Sequence, residues 1–288
     1  MKTILAPTDF SENANSALHY AANLANLTKA KIILFHTEAL QVAISENPVI
    51  MDPAPAQIKS NEQKLEELAQ KLTADFNLNQ PAETICLTGN LSLRLNEMVR
   101  TREVDLVVMG TKGATKFLDK ILGTNAAAFI KVALCPVLVI PPNARYEPVT
   151  RLAYAADFES DERVPLHQLL NIAEPLKAEV YVINIKSDQQ LDTILDDEVI
   201  YFIQEEFPDY NLHINQIKED DVVKGLQEFI EQNGMHILAV SIHEHSFLEE
   251  FFHRSITRQL AMQTHVPLLT LPCRPYVGRP EIKHKMHW

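Results

Sequence analysis

The chain has 288 residues, of which 46% are hydrophobic and 22% charged, a composition that excludes a disordered or fibrous protein and, at this length, suits two domains of about 145 residues. Its net charge of -12 is lopsided: residues 1–145 hold 14 Lys and Arg against 14 Asp and Glu, and residues 146–288 hold 12 against 24. An anionic ligand meets less long-range repulsion at the first half, and without a basic cluster a nucleic-acid partner is not expected.

The run from Met1 to Pro7 is short and ends at polar Thr8 and Asp9, so no signal peptide is expected. Nothing later approaches the ~20 apolar residues of a membrane span, and no membrane partner is expected. Cys86, Cys135 and Cys273 are far apart and form no Cys-x-x-Cys pair, which argues against a disulfide framework and a structural zinc site. A reducing cytoplasm is the expected location.

Taken in chain order, the first half opens on a short apolar strand at 3–6, followed by Asp9 and by Ser11 placed as a helix N-cap. Ala14, Ala17, Leu18, Ala21, Leu24 and Ala25 then recur at the helical period. A strand at 31–36 precedes the segment from Ile44 to Gln57, which reads as a loop because it holds Pro48, Pro53 and Pro55. Leu65, Leu68, Ala69 and Leu72 mark a second helix, 83–87 a strand, and Leu91, Leu95, Met98 and Val99 a third helix. Strands at 105–109 and 136–140 flank a helix running from Gly123 through Leu134. After the stretch from Pro141 to Pro148 the scheme repeats. Strands are expected at 151–155, 180–185, 212–217, 236–240 and 268–271, and helices at 162–174, 192–206, 222–233 and 255–264.

The repeat is visible in the residues themselves. Asp9-Phe10 is echoed by Asp157-Phe158, Asp105–Met109 by His236–Val240, and Cys135–Pro141 by Val266–Pro272. The first pair is offset by 148 residues and the last two by 131, so the second copy is about 17 residues shorter between its first and fourth strands, and the Ile44–Gln57 loop is the natural place for most of the difference. Alternating strands and helices imply parallel sheets covered on both faces. The expected boundaries are a domain over 1–143, a second over 149–276, and a tail over 277–288.

The chemistry-bearing motif follows the fourth strand: Gly110-Thr111-Lys112-Gly113, nine residues, then Gly123-Thr124-Asn125, or G-x2-G-x9-G-S/T. Glycines there allow a sharp turn and a close ligand approach, and the third glycine precedes a helix start suited to phosphate. Ligands of open α/β sheets bind beyond the carboxyl ends of strands, and Asp9, Thr37 and Gly110 all fall just past such ends. The pattern is neither the Walker loop nor the Gly-x-Gly-x-x-Gly fingerprint.

With Pro7-Thr8-Asp9-Phe10-Ser11, Leu34-Phe35-His36-Thr37, the glycine motif and Pro136–Ile140, the chain resembles the universal stress protein family in its tandem form. The resemblance implies an α/β fold of two tandem Rossmann-like, adenine nucleotide alpha hydrolase-like sandwiches that form an internal pseudo-dimer by pairing Val137–Ile140 with Leu268–Leu271. It also implies that Asp9, with Pro7 and Thr8, and Thr37 contact the adenosine, Thr37 standing where an aliphatic residue is usual. Met109, Gly110, Lys112, Gly113, Gly123, Thr124 and Asn125 would then line the ribose and phosphates. ATP is the implied ligand, with or without Mg2+. A homodimer and an unidentified protein partner are compatible with the family.

In the second copy the glycine positions fall on Ser241, Glu244, Arg254 and Ser255, so that half is expected to bind no ATP in the family's manner, and Asp157 reads better as a cap of the following helix. His243, Glu244 and His245, with Asp157 and His253, compose a rival metal cluster; solvated loop histidines are the plainer reading, and no metal ligand is assigned. The function expected is an ATP-binding regulatory protein of the stress response with one site per chain. A slow ATPase lacks an identifiable general base or arginine finger, and a protein-binding scaffold using the acidic half is the third reading.

Overall fold

The computed structural model describes residues 1–43, 49–51, 53–111, 124–142, 144–158, 161–186, 196–242 and 266–273. Two half-sheets merge into one ten-stranded sheet. The first half supplies β1 (Thr3–Pro7), β2 (Lys31–Glu38), β5 (Glu83–Thr88), β6 (Leu106–Gly110) and β7 (Val137–Ile140). The second supplies β8 (Arg151–Ala155), β9 (Glu179–Lys186), β10 (Leu212–Lys218), β11 (Ile237–Ile242) and β12 (Leu268–Pro272). The order across the sheet is β10-β9-β8-β11-β12-β7-β6-β1-β2-β5, so each half has its first strand at the centre and its strand order reverses beside that strand.

Within each half the strands are parallel; between halves β7 and β12 run antiparallel, with Val139 opposite Leu268, Leu138 opposite Leu269 and Val137 opposite Thr270. The internal pairing expected of the last strands is therefore present. Its residues are buried: Leu138 and Leu269 are each 1% exposed, and the Thr270 hydroxyl donates to the Val137 carbonyl at 3.3 Å. Both faces of the sheet are continuous across this seam. One apolar layer joins Leu18, Leu34 and Leu138 to Leu152, Leu169 and Leu271, and the other joins Phe35, Leu95 and Val137 to Ile183, Leu226 and Leu268.

The helices form where their caps and stripes place them. Helix α1 (Glu12–Thr28) starts at Ser11, whose hydroxyl accepts from the Ala14 amide at 3.2 Å, and ends at Lys29 in the left-handed region with φ 56°. Helix α5 (Arg163–Leu176) ends in the same way at Lys177, φ 53°, at the 148-residue offset. Helices α2 (Pro55–Asp75), α3 (Leu91–Thr101) and α7 (Val222–Asn233) follow the expected stripes, with Asn90 capping α3 and Asp221 capping α7. Tyr146 in the connection packs edge-on against Tyr20 of α1 at 5.0 Å, and Val149 is buried, so the linker is part of the core.

Three expectations shift. Ile44–Gln57 is not simply a loop: β4 (Val49–Met51) pairs antiparallel with β3 (Gln41–Ala43), and α2 already begins at Pro55, a residue suited to the first helical turn. The missing length of the second copy is shared with the helix: only 20 residues, 187–206, lie between the end of β9 and the end of α6 (Asp196–Glu206), too few for a helix of 21 residues such as α2 with a connection before it. Helix α4 (Thr124–Ile130) stops before Leu134 because the Asn96 side chain of α3 takes over its exit, donating to the Val132 carbonyl at 2.7 Å and accepting from the Leu134 amide at 3.2 Å. The helix expected at 255–264 lies outside the described residues. No helix among the described residues is long and apolar enough to cross a membrane.

The seam yields a measurable expectation. Leu138→Ala and Leu269→Ala should each destabilise the protein by about 2–5 kcal/mol in urea unfolding. Because the two side chains oppose each other, the double variant should lose less than the sum.

Candidate functional site

In the first half, the reversal of strand order puts the carboxyl ends of β6, β1 and β2 side by side. Pro7 closes β1 opposite Phe35 of β2 and is buried. Thr8, 6% exposed, is held on both sides: its amide donates to the Phe35 carbonyl at 2.8 Å, and its hydroxyl accepts from the Phe10 amide at 2.9 Å. Asp9 is exposed, and its Oδ1 accepts from the Ser11 amide at 3.0 Å. Phe10 sits at φ 65°, a costly conformation for an aromatic residue. That bend lets Asp9 leave the strand while Ser11 still caps α1.

His36 accounts for how this bend is held. Its Nδ1–H donates to the Thr8 carbonyl at 2.8 Å, and its ring lies 4.7 Å from that of Phe10. That assignment leaves Nε2 as an acceptor for the Asn61 amide of α2 at 3.3 Å, while Asn61 also donates to Glu38 at 2.6 Å. Asn61 is 4% exposed. Asn61 lies one turn before Leu65 on the apolar stripe of α2, and a polar residue at such a core position is the sequence signal that points to it. Thr37, next on β2 and opposite Leu87, alternates to the other face of the sheet, the face that carries Phe35 and Met109.

Met109 is 5% exposed and pairs with Val139; Gly110 pairs with Ile140, and the Thr111 amide donates to the Ile140 carbonyl at 3.1 Å. The structure gives Gly110 a duty that the motif did not reveal. A Cβ there would stand 2.5 Å from the Asn13 carbonyl oxygen and 3.2 Å from the Ala14 nitrogen, so glycine is required for the first turn of α1 to close on β6. Thr124 and Asn125 are the first residues of α4 and are exposed. Lys112, Gly113 and Gly123 lie outside the described residues. The structure thus brings together Pro7, Thr8, Asp9, Thr37, Met109 and Gly110 on three adjacent strand ends.

The second half keeps this frame with other side chains. Phe158 repeats the positive φ at 61°, and the Ala156 amide donates to the Ile183 carbonyl at 2.9 Å. Asn184 does the work of His36, donating to the Ala156 carbonyl at 3.0 Å, and is itself held by Gln216 of β10 at 3.2 Å. Ser241 occupies the place of Gly110, and α5 begins at Arg163, three residues later than α1 begins in its own copy. The expectation that Asp157 caps the following helix fails: α5 is preceded by Glu162, which makes no capping bond. Glu244, Arg254, Ser255 and the histidines at 243, 245 and 253 lie outside the described residues.

Comparison with known proteins agrees with this architecture. The sequence model described as the universal stress protein family matches residues 1–141. A universal stress protein A homolog of Coxiella burnetii is 30% identical over 145 residues, covering 48% of this chain and 95% of that protein. The chain belongs to the universal stress protein family. A universal stress protein of Synechocystis sp. aligns along both halves, 22% identical over 290 residues, covering 94% of this chain and 99% of its own length. In fold, a universal stress protein from Archaeoglobus fulgidus superposes with a TM-score of 0.70 at 18% identity, covering 94% and 98% of the two chains. The tandem arrangement is therefore shared with family members of similar length.

Two outcomes follow from the geometry. Gly110→Ala should cost about 1–3 kcal/mol of stability by overpacking against Asn13. Thermal unfolding should also rank His36→Leu, which strands the Thr8 carbonyl, below His36→Asn, which keeps a donor as Asn184 does, by about 1–3 kcal/mol.

Proposed function

We propose that this universal stress protein binds one adenine nucleotide per chain, ATP foremost, in the crevice of its N-terminal half, and acts as a nucleotide-dependent regulatory protein of the stress response in the cytoplasm. The observation that carries the reading is the convergence of Asp9, Thr37 and Met109-Gly110 on three adjacent strand ends, at the point where strand order reverses and where open α/β sheets take their ligands. Gly110 then leads into Lys112 and Gly113, and Gly123 into Thr124 and Asn125, the glycine spacing that the family uses around ribose and phosphates. We assign the nucleotide-binding domain to residues 1–143, the second domain to 149–276 and a tail to 277–288.

One site per chain is supported by the second copy. Ser241 stands in the place of Gly110 and Glu244 in the place of Gly113, and the excess negative charge of the chain lies in that half. A carboxylate beside a phosphate repels it in a desolvated crevice. Binding would act by mass action, favouring whichever conformation or assembly holds nucleotide better.

Calorimetric titration of the purified protein with ATP, ADP and cAMP tests the reading. The expected result is a single site for ATP, weakened about tenfold or more by Asp9→Ala, the loss of one bond to a charged group. No binding at millimolar ATP sinks the proposal, and two sites per chain refute the asymmetry. Phosphate release no faster than in Gly113→Glu is expected if nucleotide serves as a regulatory ligand.

A further inference from the structure

Three small residues of the first half have large or polar counterparts in the second. At the established offsets Ala6 becomes Tyr154, Ala14 becomes Glu162 and Gly110 becomes Ser241. These three meet in space. Tyr154 is fully buried, and its hydroxyl bonds to Glu162, which is 4% exposed. The Ser241 side chain bonds to Tyr154 and to Cys273, just past β12. The cluster fills the region that the first turn of α1 occupies in the N-terminal half.

The charge environment of Glu162 is one-sided. Tyr154 and Asp157 face it from β8 and the residues after that strand, Cys273 faces it from the end of β12, and the neighbouring Arg163 is paired with Asp161 at 2.6 Å. Among the described residues the titratable side chains facing it are all acids, the backbone amides of Asp157 and Phe158 bond to its carboxyl group, and its Oε1 is buried with no hydrogen-bond partner. A buried carboxylate without a countercharge is costly, whereas the neutral acid is not.

We propose that Glu162 and Tyr154 form a buried proton site that stands in the C-terminal half where the N-terminal half packs the first turn of α1 against β6, and that losing this proton loosens the start of α5. Burial first, and the negative charge of Asp157 second, push the Glu162 carboxyl up to about 7, while the Tyr154 hydroxyl and the backbone at Asp157 and Phe158 oppose the shift. In the unfolded chain the same group titrates near its ordinary value of about 4.3. Between these values the folded protein holds one proton more than the unfolded one, so this group's stabilisation is fully present in acid and is lost as pH rises towards about 7.

Urea unfolding of the full chain and of Glu162→Gln across about pH 5 to about pH 8 isolates the group, because other carboxylates act equally in both proteins. The ratio of the wild-type to the variant unfolding constant should rise about tenfold per pH unit below about pH 7 and level off above it. A ratio independent of pH overturns the proposal. Carbon NMR of labelled glutamate side chains in the wild-type protein gives a reading that does not depend on the variant's folding. One carboxyl should titrate near neutrality, and Tyr154→Phe, which removes a donor to the carboxylate, should move it higher. Titration of every glutamate in the ordinary carboxylate range overturns the proposal equally.

Discussion

The fold depends on how two edge strands are satisfied. Each half-sheet ends on its fifth strand, and an exposed edge offers unpaired amides and carbonyls to any other chain. Here β7 and β12 pair with each other antiparallel, which closes both edges within one chain and joins the apolar layers on both faces of the sheet. The outer strands of the merged sheet are β5 and β10, far from this seam. With both halves in one chain this pairing is intramolecular, so it does not depend on protein concentration.

That arrangement frees the two halves to diverge. The N-terminal half needs a glycine at 110 because the helix start lies against the strand end, and it uses the His36–Asn61–Glu38 network to hold the carbonyl of Thr8. The C-terminal half retains the positive φ of Phe158 and a side-chain donor to the equivalent carbonyl, so the bend survives without the glycine. What it lost is room. A Cβ at Ser241, a phenol at 154 and a carboxyl at 162 replace two alanines and a glycine. Such a half contributes sheet pairing and packing whatever it binds, and this contribution explains its retention of the strand and helix pattern.

Much of this was legible without coordinates. Strand and helix periods differ, so the alternation of short β-branched runs with 3.6-residue stripes specified a parallel α/β sheet, and two copies of the pattern specified the tandem form. Ser11 as a cap and the convergence of Asp9, Thr37 and Gly110 followed from the same local rules, since the carboxyl end of a strand is set by where its apolar run stops. The pairing of the last strands came from family resemblance, because no periodicity states which edge meets which.

The amino-acid sequence by itself determined the elements, their order, the repeat and the strand ends at which a ligand would be met, since each of these depends on contacts between residues close in the chain. Only the tertiary structure decided that Gly110 is required by the Asn13 carbonyl, that Asn61 completes the hydrogen bonding of His36, and that Tyr154, Glu162 and Ser241 form one buried cluster. These pairs lie between 8 and 97 residues apart along the chain, and whether a Cβ, an amide or a carboxyl is tolerated depends on backbone packed against it from elsewhere.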